Sequence, residues 1–222
     1  QPRSRGLGDV YKRQNQIKAI LVTAPALLRE RLEPLRRSAL ITACAALRPG
    51  PLCGPMAAAK RTLRILARRI QALEQEILQL LAVLDSLTQA VCPGLRQTYG
   101  VGVDGAAILL TAAGDNPQRI RSEAAFAALC GVSPLPASSG KTNRHRLNRS
   151  GNRQANATLH RIAVVRLRWH EQTQSYAARR TGEGLSKAEI LRCLKCFIAR
   201  EIFHTLLGLS LIHISEPTRP RL

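Results

Sequence analysis

Residues 56–90 read MAAAKRTLRILARRIQALEQEILQLLAVLDSLTQA, and their pattern decides the fold class. Leu63, Leu66, Ile70, Leu73, Ile77, Leu80, Leu84 and Leu87 recur at unbroken intervals of three and four. That spacing puts all of them on one face of an α-helix, with Arg, Glu and Gln filling the positions between. Four heptads of a and d positions predict a long helix over 56–91 that pairs with another helix, within the chain or across a dimer. The alternative is an amphipathic helix packed on its own domain.

Upstream, Arg48-Pro-Gly-Pro-Leu-Cys-Gly-Pro55 carries three prolines and two glycines in eight residues and sustains neither helix nor strand. Before it, Ala24 to Leu47 alternates apolar and basic residues at helical spacing, with Pro25 at a first turn and Pro34 as a break, which predicts one or two helices. Residues 15–55 are therefore an N-terminal helical fragment and linker. Downstream, Cys92-Pro-Gly-Leu95 stops the long helix. Val101 to Gly114, Ser122 to Cys130, Gly151 to Arg168 and Ser186 to Leu207 then read as helices, each opening near a Gly, Ser or Pro turn. Strand signals are almost absent, so the expectation is an all-α fold: a long coiled-coil helix followed by a compact helical domain over 92–209.

The two ends, QPRSRGLGDVYKRQ at 1–14 and SLIHISEPTRPRL at 210–222, share no periodicity with their neighbours. Both resemble conceptual translations of sequencing-adapter sequence, which implies non-native tails around a natural fragment of about 15–209. They carry +3 and +1 of the formal net charge of +20, so removing them leaves the chain strongly basic.

That charge, 34 Lys and Arg against 14 Asp and Glu, makes a polyanion the first partner to consider, and nucleic acid the leading one. A membrane surface would attract the same charge, but no run of about 18 apolar residues is present, and the expectation is a soluble cytoplasmic protein. Aromatic residues are 3% of the chain, which argues against base-stacking platforms and for contact through phosphates. Six scattered cysteines without a secretory signal read as reduced thiols. Cys193 and Cys196 form one C-x-x-C with no second pair at ligand spacing, so two ordinary helix positions are preferred over a zinc or redox site.

Two stretches carry candidate chemistry. Tyr99-Gly100-Val101-Gly102-Val103-Asp104-Gly105 precedes the apolar Ala106 to Leu110, with Ala113-Gly114-Asp115 after it; it resembles a helix-hairpin-helix element. A Gly-x-Gly turn ahead of a helix lets bare N–H groups at Gly100 and Gly102 approach a phosphate, where the helix dipole adds attraction; a purely structural tight turn is the alternative. The second stretch runs from Pro134 to Arg153 through Ser138, Ser139 and Gly140. Lys141, Arg144, Arg146, Arg149 and Arg153 lie within 13 residues, with Asn152 beside them and Ser150 placed to cap the next helix. Phosphates gathered there would surround Ser138 and Ser139, unless the loop is simply solvated and its serines make turn hydrogen bonds.

Taken together, Gly100 to Gly102, the AGD at 113–115, Phe126-Ala-Ala-Leu-Cys-Gly-Val-Ser-Pro134, the Ser139-Gly140 pair and Arg149-Ser-Gly-Asn-Arg-Gln154 resemble the C-terminal region of insertion-sequence transposases of the IS-one-hundred-and-ten family. That group includes RNA-guided bridge recombinases. The resemblance runs from about Asn15 to Leu207. It implies a protein that cuts and rejoins DNA, with Ser139 as the nucleophile joined covalently to a strand end and Ser138 as the fallback. It also implies DNA as partner, a guide RNA, and a homo-oligomer paired through the coiled coil. A serine hydroxyl needs help losing its proton and the phosphate needs its charge offset. The family supplies both with divalent metal (Mg) held by four carboxylates of a RuvC-like N-terminal domain, which nothing here matches. No metal site and no cofactor are expected in this fragment, which is expected to bind nucleic acid without catalysing recombination.

Asp104 and Asp115 read as a first-turn helix residue and a turn residue before Pro117. His145 is a phosphate contact or a proton shuttle; His160 and His170 are surface or core residues. Two rivals stay open: a non-catalytic helix-hairpin-helix DNA-binding protein whose basic loop only grips phosphates, and an interaction protein built on the coiled coil.

Overall fold

The computed structural model describes residues 2–51, 53–114, 120–136, 145–146, 148 and 150–214. The predicted long helix is present as α4, Pro55–Val91. It crosses the division between two compact units, Gln1–Ala82 and Val83–Leu222.

In the first unit, α1 (Pro2–Thr23), α2 (Ala26–Leu32) and α3 (Arg37–Ala45) precede α4. Pro25 sits just ahead of α2 and Pro34 falls between α2 and α3; a missing N–H and a fixed φ make those positions helix boundaries. The backbone of α1 runs through residue 14 without a break, and the buried side chains described on it are Ile17 and Leu21. The first half of the α4 seam is used up inside this unit. Leu63 and Ile70 are fully buried and Leu73 nearly so, packed with Ile17, Leu28, Leu32 and Cys44. In the second half Ile77 and Leu84 are half-buried, while Leu80 and Leu87 are 50% and 55% exposed. A strict heptad reading could not foresee this division, because the same leucine period serves an intrachain core and an intermolecular seam equally well.

The second unit contains α5 (Pro93–Gln97), α6 (Val103–Ala113), α7 (Glu123–Leu129), α8 (Arg153–Trp169), α9 (Glu171–Gly182) and α10 (Lys187–Ile214). The only strand pairing among the described residues is two residues long on each side: β1 (Leu135–Pro136) runs antiparallel to β2 (His145–Arg146). The fold is all-α. Helix starts follow local chemistry. Ser122 Oγ accepts from the N–H of Ala125 to cap α7, and Ser186 and Glu189 form a reciprocal capping box at the head of α10, each satisfying a donor the helix leaves without partner. The expected cap of α8 was Ser150; the cap is Asn152, whose Oδ1 accepts from Gln154 and Ala155 N–H at 2.9 and 3.1 Å. Ser150 turns the other way, its N–H and Oγ both donating to Asn148 Oδ1.

The α8 and α10 helices supply the spine of this core. Ala155, Leu159, Ile162 and Ala163 are buried along one face of α8, and Leu194, Ile198 and Ile202 along α10, with Leu95, Leu109 and Phe126 between them. Each of the larger side chains contributes about 1.5–3 kcal/mol through removal from water. What matters for function is that α6, α7 and α10 all pack on a common framework. Both glycine-rich motifs are thereby anchored to α8.

Candidate nucleic-acid interface

The Gly-x-Gly turn is built by α5 ending and α6 beginning within five residues. Val101 N–H donates to Thr98 C=O at 3.0 Å, and Gly100 adopts φ +82°. A Cβ there would stand 3.3 Å from Ile162 Cγ2 on α8, so glycine is needed for both the backbone conformation and the close approach. Gly102 is the N-cap of α6 with extended backbone. It is exposed, and a Cβ built on it meets nothing within 4 Å. The first N–H groups of α6 have no partner within the helix, and the exposed Gly102 at its N-cap leaves room for a group to approach from that side. Such a helix start attracts an anion.

An arginine absent from the predicted site holds this turn. Arg166 on α8 is buried, 8% exposed, and all three of its guanidinium nitrogens are engaged. Nε donates to Tyr99 C=O at 2.9 Å, and the two terminal nitrogens form a fork onto Glu201 of α10 at 2.7 and 3.0 Å. Tyr99 is tied a second time, its hydroxyl donating to Trp169 C=O at 3.1 Å while its ring lies 4.8 Å from that of His170. Asp104, in the first turn of α6, pairs with Arg161 at 3.3 Å, which offsets a carboxylate at this helix start. The sequence signal for Arg166 was its position: it continues the apolar row of Leu159 and Ile162 at the next step of four.

The second motif is anchored where two glycines cross. Gly131 follows α7 with φ +64° and Gly151 precedes α8 with φ +86°. Asn152 N–H donates to Leu129 C=O at 2.7 Å. Asn156 on α8 donates to the carbonyls of Cys130 and Gly131 at 3.1 and 2.8 Å, and its Oδ1 accepts from Lys195 at 3.0 Å. Lys195 is buried, and burial, aided by Arg192, lowers the pKa of its ammonium from the ordinary value. Asn148, also buried, donates to Ser133 Oγ at 3.0 Å. Both ends of the basic loop are thus fixed to one another, through these bonds and the β1–β2 pair. Ser139, Lys141, Arg144 and Arg149 lie outside the described residues, as do Ser138 and Asp115, and of Arg146 and His145 only the backbone is described.

Of the remaining predicted residues, Asn152 serves as the α8 cap described above. Arg153 is exposed at the first position of α8. A cation at the positive end of a helix dipole is locally unfavourable by a few tenths of a kcal/mol, so Arg153 adds nothing to the stability of the α8 start. Arg153 sits about 12 Å along the α8 axis from Arg161, which pairs with Asp104 in the first turn of α6. His160 is exposed, and His170 is half-buried with Nδ1 2.8 Å from Thr173 Oγ1. Among the described residues no three His, Cys, Asp or Glu side chains come together as a metal site, and no helix is long and apolar enough to cross a membrane.

Residues 92–178 match the family described as Transposase IS116/IS110/IS902 family, a match that supports a C-terminal part of such a transposase. No curated protein matches the chain. The matched span contains both glycine motifs, the whole basic loop and α8.

Proposed function

We propose that this chain, whose residues 92–178 match a transposase family, is the DNA-handling, serine-bearing portion of an enzyme that cuts and rejoins DNA during insertion-sequence transposition. The observation that carries the reading is the exposed Gly102 at the N-cap of α6, in a turn held by a buried arginine fork on the same helix that begins with the exposed Arg153. Gly100 and Gly102 present backbone N–H groups to one stretch of phosphates. Lys141, Arg144, Arg146, Arg149, Asn152 and Arg153 supply charge and hydrogen bonds to another.

In the cutting step the Ser139 oxygen attacks phosphorus and forms a serine phosphodiester. One P–O bond of the strand breaks, and the proton lost by serine is balanced by the one gained on the departing strand-end oxygen. Rejoining is the reverse, with a strand-end hydroxyl attacking the serine ester. A divalent metal held by carboxylates of a RuvC-like domain supplies charge neutralisation when bound. A guide RNA would be a further polyanionic partner. The exposed second half of the α4 seam supports a homo-oligomer in which Leu80 and Leu87 are covered by a second copy.

The test pairs two variants. Replacing Lys141, Arg144, Arg146 and Arg149 together by Gln in this chain should weaken duplex DNA binding and flatten its dependence on log salt by about 3 to 4, at roughly 0.9 per phosphate contact. In the full transposase, Ser139→Ala should abolish the covalent protein–DNA adduct and strand cleavage while leaving binding intact. Cleavage that survives Ser139→Ala sinks the nucleophile assignment and leaves the non-catalytic DNA-binding reading.

A further inference from the structure

We propose that the arginine face of the first half of α4, made by Arg61, Arg64 and Arg68, is a second binding surface for the nucleic-acid phosphate backbone, separate from the transposase segment. It lies wholly in the first unit, so it does not depend on the phosphate contacts assigned to Gly100 and Gly102.

The first observation is composition. Between Pro34 and Leu73 there are eight Lys and Arg and no Asp or Glu, and the first acidic residue of α4 is Glu74. The second is that packing fixes which way the face points. Leu63, Ala67 and Ile70 are fully buried in the core of this unit. At 100° per residue Arg61 and Arg68 then fall on the opposite side of the helix and Arg64 on its flank. Arg61 and Arg68 are exposed and Arg64 is half-buried, its Nε enclosed without a hydrogen-bond partner.

The third observation is the contrast between the two units. Among the described residues every ion pair lies in the second unit, where Arg96, Arg161, Arg166, Arg180 and Arg200 are each matched by a carboxylate. None of the α4 arginines is matched in this way. A row of like charges with no internal counterion is electrostatically unfavourable at low salt, and an external polyanion relieves it while releasing its own counterions.

Arg61 to Arg68 spans about 10 Å of helix axis, the axial length of roughly three nucleotides at 3.4 Å each. Ile65, 59% exposed, sits between them and offers an apolar contact to a sugar edge. With no aromatic side chain on α4, this surface holds backbone and does not stack bases. An anionic membrane is the poorer partner, because a surface-seeking helix needs a free apolar face, and the apolar face of this stretch is already in the core.

The experiment uses the full chain and its Arg61→Gln/Arg64→Gln/Arg68→Gln variant; glutamine keeps helix propensity close to that of arginine. Matched denaturation midpoints and far-ultraviolet circular dichroism establish that both are folded. Binding is measured against a duplex DNA, a hairpin RNA and phosphatidylserine vesicles over a range of salt. The expected result is a slope of log affinity against log salt lower by about 2 to 3 in the variant, on DNA, on RNA or on both, which also tells the two sources apart. An unchanged slope on both nucleic acids, with wild-type binding intact, overturns this surface and leaves the preceding functional reading standing. Wild-type chain that binds only vesicles, or nothing, overturns both.

Discussion

Gly131 and Gly151 cross with their backbones in contact: a Cβ on Gly151 would stand 2.5 Å from the Gly131 nitrogen, and a Cβ on Gly131 would stand 2.3 Å from the Ser150 carbonyl oxygen. Neither neighbour is a side chain that can swing away, and both glycines have positive φ. Gly151→Ala is therefore expected to destabilise the chain by about 3 kcal/mol or more, from backbone collision added to left-handed strain. Gly184 has the same φ of +86° but open space around it, so Gly184→Ala should cost only about 1 kcal/mol. Urea midpoints read the difference; equal effects would show that the crossing does not constrain the fold.

The Arg166–Glu201 fork gives a second expectation. The Arg166 side chain is 10% exposed and that of Glu201 47%, so the two ends are unequal. Arg166→Met leaves the Tyr99 carbonyl without its donor and should cost about 3 kcal/mol. Glu201→Gln, at the wetter end, should cost about 1 kcal/mol. A double-mutant cycle on denaturant midpoints checks this, and an Arg166→Met effect no larger than that of Glu201→Gln would contradict it.

Cysteine chemistry yields a third. Burial pushes Cys44 up to about 11 and Cys130 up to about 12 from the ordinary 9.0, whereas Cys53 is exposed. Near pH 8.5, iodoacetamide should label Cys53 well before either buried thiol, because only the thiolate attacks. The sign for stability follows. Between pH 9 and 11 to 12 the unfolded chain releases these protons and the folded chain retains them, so stability should be full below pH 9 and fall as pH rises through that window. Early labelling of Cys130 would mean that this core opens readily.

The open half of the α4 seam predicts assembly. Leu80→Glu/Leu87→Glu should reduce the mass measured by light scattering to that of one chain without lowering the unfolding midpoint of the monomer, since both leucines are at least half exposed. A wild-type chain already monomeric at micromolar concentration would remove the case for pairing through this face.

Helix periodicity made most of the architecture legible. The three-and-four spacing of Leu63 to Leu87 marked α4, Pro25 and Pro34 marked the breaks around α2, and the segment expected at Gly151 to Arg168 appears as Arg153–Trp169. The short α9 went unread, because Glu171 to Gly182 is mostly polar with few buried positions. The swap of capping duty from Ser150 to Asn152 could not be read either. Both residues are good caps, and only the Asn148 side chain, arriving to occupy Ser150, decides between them.

The sequence by itself determined the all-α class, the basic charge and the transposase resemblance carried by residues 92–178, since periodicity, composition and motif spacing are local properties of the chain. Only the tertiary structure decided that Arg166 braces the Gly100 turn, that Gly131 and Gly151 must touch, and that one leucine seam is buried at Leu63, Ile70 and Leu73 but exposed at Leu80 and Leu87. Those outcomes depend on which surfaces meet after folding. An arginine in an apolar row or a leucine in a heptad has no assigned partner until the helices pack.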